Sequence, residues 1–255
     1  MNFRAVSIRS AWWKNIRQSW PELRSALSQP ELKSLAVLVA LCFLLLIMLD
    51  VATGMLKFTG YLSPEVVRFY RISEQGSAGE FAGYVTSQMA VIFIMMTALR
   101  LKSSLHMMIA MLVQYMLLDD MFMLHEMMGS DIAAMFFAGK YLVPAQALGE
   151  LCFGVGFCAA AVAVFAFSLR TTTPYLRSLA FLLFAPLCLL AVCAIGVDFF
   201  HALVPRSAKY LDGLVALLED GGELLAMFIL MLVAAAQWIA SGWISPRHNG
   251  GVISP

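Results

Sequence analysis

The chain has 255 residues, of which 61% are hydrophobic and 13% are charged, and its mean hydropathy is +0.82. Soluble domains are about half apolar and about a quarter charged, so this composition excludes an ordinary soluble enzyme, a disordered regulator and a nucleic-acid-binding protein. The net charge of +1 indicates no bulk preference for a charged partner. We therefore predict an all-α integral membrane protein whose main partner is the lipid bilayer.

Residues 1–33 are predicted to form a cytoplasmic, interfacial segment that is amphipathic. Large apolar side chains recur there at helical spacing, namely Trp12, Trp13, Ile16, Trp20, Leu23 and Leu27, and basic residues occupy the other faces. Tryptophan favours the headgroup layer, and cations suit anionic lipids. The pattern predicts an N-terminal interfacial helix that leads into the first span, with a docking helix for a partner protein as the alternative.

Six apolar stretches follow, each long enough for a transmembrane helix, which needs about 20 mostly apolar residues. They make up a predicted transmembrane domain, residues 34–241, and they are Ser34–Met55, Phe81–Arg100, Leu105–Met127, Val143–Leu169, Leu176–Leu203 and Leu211–Ile239. Residues 242–255 are rich in glycine and proline toward their end and are predicted to form a flexible cytoplasmic tail. The predicted fold is a polytopic bundle of about six transmembrane helices.

Lysine and arginine are more frequent in the loops on the N-terminal side of these spans than in the loops on the other side. The positive-inside rule then places both termini in the cytoplasm, in a plasma membrane or a bacterial inner membrane. The longest outer loop, residues 57–80, carries an apolar-aromatic patch of Val66, Val67, Phe69 and Tyr70. The sequence leaves open whether this loop forms an interfacial helix or a lid.

Ionisable residues inside the spans are the main functional signal, because each costs about 2.5–3.5 kcal/mol or more at the centre of a membrane helix. Counted along their spans, they all fall in the outer part, so that several helices bring acids to one shared layer. The layer contains nine carboxylates and two histidines: Asp50, Asp119, Asp120, Glu126, Glu150, Asp198, Glu219, Asp220 and Glu223, with His125 and His201.

The spacing within each helix supports a shared site. Residues three or four apart lie on one face of a helix, as Asp198 and His201 do, and as Glu219 and Glu223 do. In a continuous third span, Asp119 and Glu126 would share a face, whereas Asp120 and His125 would lie about 100° to either side of it. We therefore expect that these four side chains do not all point inward.

No lysine or arginine lies within the membrane-buried parts of these spans. Unpaired buried carboxylates must take up protons, contact water or bind cations, and the two histidines favour cations. Oxygen and imidazole ligands from facing helices suit one or two divalent ions of iron, manganese or zinc. The predicted ligands are Asp119, His125, Glu150, Asp198, His201 and Glu223. Either Glu126 or Glu219 is predicted to serve as the catalytic general base.

The predicted function is that of a metal-dependent enzyme acting from the outer face on a lipid or another membrane-soluble substrate, either a hydrolase or a di-metal oxidase or hydroxylase. A divalent-cation or proton transporter or channel is the first alternative. The inner halves of the spans contain few polar residues, which favours a dead-end site over a conduit. A structural or assembly protein with a buried acidic network is the second alternative. Small residues at Gly149, Gly154 and Gly156 predict close helix contacts, within the chain or between chains.

Overall fold

The computed structural model describes residues 21, 24–57, 63–72, 76–137, 144–205 and 207–248, and these residues contain helices and no β-strand. Six of the helices are long and apolar enough to cross a membrane. The predicted all-helical architecture with six candidate spans is confirmed at that level. The predicted N-terminal interfacial helix lies mostly outside the described residues, as does the end of the predicted tail.

The helices begin and end close to the predicted limits, with two exceptions given below. Their bounds are α1 Pro30–Lys57, α2 Pro64–Tyr70, α3 Ala78–Leu101, α4 Ser104–Phe122, α5 Leu124–Phe136, α6 Ala145–Leu169, α7 Pro174–Ala191, a π-helical segment Val192–Val197, α8 Asp198–His201 and α9 Lys209–His248. The short helix α2 occupies the loop whose structure the sequence left open. The last helix, α9, continues beyond Ile239 into residues predicted to belong to the tail.

Local sequence explains several helix starts. The hydroxyl groups of Ser63, Ser77 and Ser103 each accept a hydrogen bond from a backbone N–H three residues ahead, at 3.4, 3.1 and 3.4 Å. Such N-caps satisfy one of the N–H groups that a helix start leaves without a partner. Pro64 and Pro174 occupy the first turn of α2 and α7, where a missing N–H costs nothing.

The prediction of one continuous helix over Leu105–Met127 is wrong. The helix α4 ends at Phe122, and the next residue, Met123, adopts a left-handed conformation with φ of 52°. A non-glycine residue seldom adopts this conformation, and it cannot continue a right-handed helix. A second helix, α5, begins at Leu124. The chain therefore turns a corner, and side chains before and after Met123 can meet although a straight helix would keep them apart.

The last helix, α9, lies at the centre of the bundle. It packs against α3 along most of its length and also contacts α1, α7, α8 and the π-helical segment. The core between these helices is apolar, and Ile94, Ile109, Val113, Leu183 and Leu230 are each at most 1% exposed. By contrast, α1 and α6 lie at the periphery, and few of their residues are buried. This distribution suits a bundle surrounded by lipid.

Two glycines accommodate the π-helical segment. A Cβ atom on Gly222 of α9 would lie 2.5 Å from the Sγ atom of Cys193, and a Cβ atom on Gly154 of α6 would lie 3.0 Å from the side chain of Ile195. A π turn holds more residues than an α turn, so it changes the direction in which later side chains point. The direction in which the side chains of Asp198 and the residues after it point therefore depends on the π-helical segment. This segment is the second departure from the predicted spans.

Replacing Gly222 with alanine should destabilise the protein by about 1–2 kcal/mol, because the new methyl group overlaps the buried Cys193 thiol. Combining it with Cys193→Ala should recover most of that loss, because only a Cβ contact of 3.5 Å then remains. Thermal unfolding in detergent measures both effects. Gly213→Ala on the same helix is the control. A Cβ atom at Gly213 meets nothing within 4 Å, so this variant should be as stable as the wild type or slightly more stable. If the stability changes of Gly222→Ala and Cys193→Ala are strictly additive in the double variant, the new methyl group does not overlap the Cys193 thiol.

The end of the bundle opposite the predicted acidic layer is closed by buried polar contacts. The fully buried ring of His106 shares a hydrogen bond of 2.8 Å with the hydroxyl of Ser103. The side-chain amide of Gln237, 1% exposed, donates to the carbonyl of Leu179 at 2.8 Å and so joins α9 to α7. The guanidinium of Arg100 lies 5.5 Å from the ring of a tryptophan on α9. These contacts, together with the apolar core, make the half of the bundle opposite the acidic layer densely packed.

Candidate functional site

The ionisable residues of the predicted layer meet at one end of the bundle. We call this group, together with two acids that the structure adds, the acidic cluster. Helices α1, α3, α4, α5, α6, α8 and α9 contribute to it, and its members are Asp50, Glu80, Asp119, Asp120, His125, Glu126, Glu150, Asp198, His201, Asp212, Glu219, Asp220 and Glu223. The helical arrangement therefore brings every predicted ligand and both predicted bases into one region.

The corner at Met123 creates the first contact within the acidic cluster. The Nδ1 atom of His125 lies 3.1 Å from the Oδ2 atom of Asp119, six residues earlier in the chain. This hydrogen bond raises the pKa of His125, which lies on α5 outside the six candidate spans, above its usual value. The expectation that Asp119 and His125 point in different directions is wrong, because it assumed a continuous helix. The Nε2 atom of His125 is left for another partner.

Contact between two glycines brings α5 and α6 together beside this pair. A Cβ atom on Gly149 would lie 1.9 Å from the carbonyl oxygen of Gly129, and one on Gly129 would lie 2.4 Å from the side chain of Glu150. The two helices therefore meet backbone to backbone. Gln146 donates a hydrogen bond of 2.8 Å to Glu150, whose carboxylate is close enough to His125 to interact with it electrostatically.

On the other side of the acidic cluster, His201 lies between two carboxylates of α9. Its Nδ1 atom is 2.7 Å from Glu219, and its Nε2 atom is 3.2 Å from Asp212. Neither ring nitrogen is open to a metal ion in this arrangement. The carboxyl group of Asp198 also lies close enough to Glu219 for the two to interact electrostatically. Two ionised carboxylates tolerate such an approach only with a proton or another cation between them.

Two acids connect the two sides of the acidic cluster. Asp198 interacts electrostatically with His125 and Glu126 on one side and with His201 on the other. Asp120 lies between Asp119 on α4 and the acids of α9, interacting with the α5 residues, with Glu80 and with Asp220 and Glu223. The cluster is therefore one electrostatic unit and not a set of separate surface charges.

Sequence reasoning missed two members of this region. Glu80 was assigned to the outer loop, but it lies in the first turn of α3, where it accepts hydrogen bonds from the N–H of Gly76 and the hydroxyl of Tyr84. Asp212 lies in the first turn of α9. Its spacing of seven residues from Glu219 indicates a shared helix face and could have identified it.

Asp50 has a cationic partner from the outer loop. Its Oδ1 atom accepts a hydrogen bond of 2.9 Å from the N–H of Ile72 and lies 3.2 Å from Nε of Arg71. Asp50 is 8% exposed, and Ile72 is 6% exposed. The residues that follow α2 are therefore tied to the end of α1 beside the acidic cluster.

The predicted metal ligands do not form a preassembled metal site in the part of the chain that the structure describes. Within the described ranges, no three side chains of histidine, cysteine, aspartate or glutamate converge on one point that could hold a metal ion. His201 would have to release a carboxylate before it could act as a ligand. The pairing of a carboxylate with Nδ1 of His125 is, however, the arrangement that orients a histidine whose other nitrogen binds a metal.

Comparison with known proteins places the chain in a family described as a domain of unknown function, DUF8692, to which the chain belongs over residues 76–238. The matched region runs from the start of α3 almost to the end of α9 and holds the whole acidic cluster except Asp50. No curated protein and no solved structure matches the chain.

Proposed function

We propose that this member of the DUF8692 family is a membrane-embedded, metal-dependent enzyme that acts on a lipid or another membrane-soluble substrate. In this proposal the acidic cluster faces the outer side of a plasma or bacterial inner membrane and binds one or two ions of iron, manganese or zinc. Both chain termini are then cytoplasmic. The reaction is a hydrolysis or a metal-dependent oxidation.

The gathering of eleven carboxylates and two histidines in the acidic cluster is the observation that carries the proposal. Among the cluster's acids, Asp50 is paired with an arginine, and Asp119, Asp212 and Glu219 are paired with histidines. The remaining acids lie near one another, so bringing them together requires added positive charge. Protons can supply that charge, and so can divalent ions, for which carboxylate and imidazole are the appropriate ligands.

The geometry refines the predicted roles of individual residues. His125 is the best-placed ligand, through its Nε2 atom, and Asp119 then acts by orienting it rather than by binding the metal itself. Glu150, Asp198 and Glu223 supply oxygen ligands. His201 joins them only after it releases Glu219 or Asp212. A released Glu219 would be free to act as the general base, with Glu126 as the other candidate.

The closed inner half of the bundle favours an enzyme over a conduit. Below the acidic cluster, the core positions Ile94, Val113, Leu183 and Leu230 are each at most 1% exposed. An ion pathway must cross the membrane, and polar groups normally line it. A site that opens at one end only suits a substrate that enters from the membrane or from the outer side.

A cation or proton transporter is the second candidate, favoured by a break in the predicted span Leu105–Met127 and a π-helical segment in the predicted span Leu176–Leu203. The left-handed residue Met123 and the π-helical segment Val192–Val197 both lie next to residues of the acidic cluster. Discontinuous helices at a binding site are a feature of many transporters.

The first experiment measures the metal content of the detergent-purified full chain by elemental mass spectrometry, after reloading with iron, manganese or zinc. We expect about one or two equivalents per chain, as in bundle metal sites. The double variant His125→Ala/His201→Ala should lose the metal while keeping the wild-type helical content by circular dichroism. Asp131→Asn is the matched control, because Asp131 is an exposed acid on α5 outside the cluster.

Each outcome decides between the candidates. Metal that is absent in the histidine variant and retained in Asp131→Asn supports the metal site. Incubation in lipid nanodiscs, with Glu219→Gln beside the wild type, then tests for chemical change of the lipids. Absence of metal from the reloaded wild type would overturn the proposed metal enzyme. Cation or proton flux in proteoliposomes would then test the transporter.

A further inference from the structure

The short helix α2 divides into three sectors around its axis. At about 100° per residue, Val67 points toward the bundle, Val66 and Phe69 point to a second sector, and Glu65 and Arg68 point to a third. The exposures agree with this division, because Val67 is 5% exposed whereas Val66 and Phe69 are 39% and 51% exposed. The helix therefore has one face on the protein, one exposed apolar face and one exposed charged face.

The apolar face of α2 continues an exposed apolar surface of the bundle. The helix packs against the end of α1, where Met55 and Leu56 are 69% and 40% exposed, and against the start of α3, where Phe81 is 68% exposed. The ring of Phe69 also contacts Tyr70 edge to face, with 5.1 Å between centroids. Aromatic residues at the ends of spans are typical of the membrane–water interface.

The position of α2 is set by the bundle itself. Asp50 holds Arg71 and the N–H of Ile72 immediately after the helix, and Ser63 caps its start. A Cβ atom on Gly79 would lie 3.0 Å from the side chain of Ile72, so this segment also packs closely on α3. Because the C-terminal end of α2 is held by Asp50 and Val67 is buried against the bundle, the outward direction of Val66 and Phe69 is a property of the fold.

We propose that α2 is an interfacial helix, with Val66 and Phe69 inserted at the acyl boundary of the leaflet on the acidic-cluster side. Its charged sector, with the cationic Arg68, then faces the phosphate layer and water. The inference does not depend on a metal site. It shares with the proposed function only the premise that the six long helices cross a membrane. Arg71 and Ile72 follow α2 directly and contact Asp50. An α2 inserted in this way therefore also holds these two residues, beside the acidic cluster, at the level of the lipid headgroups.

Cysteine accessibility in lipid nanodiscs tests the proposal on the full chain. Val66→Cys and Arg68→Cys form a matched pair on opposite exposed sectors of one helix, and the wild type gives the background from its five native cysteines. A charged, membrane-impermeant maleimide should label position 68 about tenfold faster than position 66 if the apolar face is buried in the interface. Equal rates would place the helix in water and overturn the proposal.

A second measurement distinguishes lipid from a covering protein. An NBD fluorophore attached at position 66 should be quenched by lipids that carry a nitroxide near the top of their acyl chains, and one at position 68 should be quenched less. Protection from maleimide without quenching at position 66 would also overturn the proposal, because something other than lipid would then cover α2. Neither measurement depends on whether metal is bound. Failure of the interfacial-helix proposal can therefore be distinguished from failure of the proposed enzyme.

Discussion

Replacing Gly149 with alanine should destabilise the protein by about 3 kcal/mol, the upper part of the range for overpacked cores. The new Cβ atom would lie 1.9 Å from the carbonyl oxygen of Gly129 and 3.0 Å from the backbone nitrogen of Ala133. Because these neighbours are backbone atoms of α5, no rotamer change can relieve the overlap, and the two helices must separate. The loss should be measured as a lowered midpoint of thermal or denaturant unfolding in detergent.

Gly156→Ala is the matched control for this prediction. It lies on the same helix, α6, about two turns further on, and a Cβ atom there meets nothing within 4 Å. Alanine has the higher helix propensity, so this control should be neutral or slightly stabilising. Equal stability of the two variants would show that α5 and α6 are not in backbone contact. Separation of these helices should also move His125 away from Glu150, so metal binding should weaken in Gly149→Ala alone.

Removing the positive charge of Arg71 should lower the free energy of unfolding by about 3 kcal/mol, because loss of one partner of a buried ion pair leaves the other charge uncompensated. Arg71→Gln leaves Asp50 largely buried, with its side chain 11% exposed, among further acids of the cluster. Unfolding in detergent, followed by circular dichroism, gives the free-energy difference. The double variant Asp50→Asn/Arg71→Gln should recover most of the stability, because the amide oxygen can still accept the N–H of Ile72.

Arg68→Gln is the control for the ion-pair prediction. Arg68 lies on α2, three residues before Arg71, and is exposed. Its replacement should change the free energy of unfolding by less than about 1 kcal/mol, as is usual for exposed charges. If Arg71→Gln is as mild as this control, the pair with Asp50 does not stabilise the fold. If the double variant is no more stable than Arg71→Gln alone, the cost comes from the arginine itself rather than from the unpaired acid.

The sequence predicted the six long helices because hydropathy is a local property that length and composition reveal. It also predicted that the acids would lie at one end of the bundle, since each residue adds about 1.5 Å along a helix and depth can be counted. The corner at Met123 carried no such signal. Methionine is a good helix former, and LLDDMFMLHEMM has no glycine or proline that would indicate a break. The π-helical segment was equally hidden in an unbroken apolar run.

The chain by itself determined which residues reach the acidic end, whereas only the tertiary structure decided which of them meet. The contacts of Asp119 with His125, of His201 with two carboxylates, and of Asp50 with Arg71 depend on how far each helix is rotated about its axis. That rotation is set by close packing between distant positions, such as Gly129 with Gly149 and Cys193 with Gly222. Periodicity along one helix contains no information about those partners, so pairing could not be predicted from it.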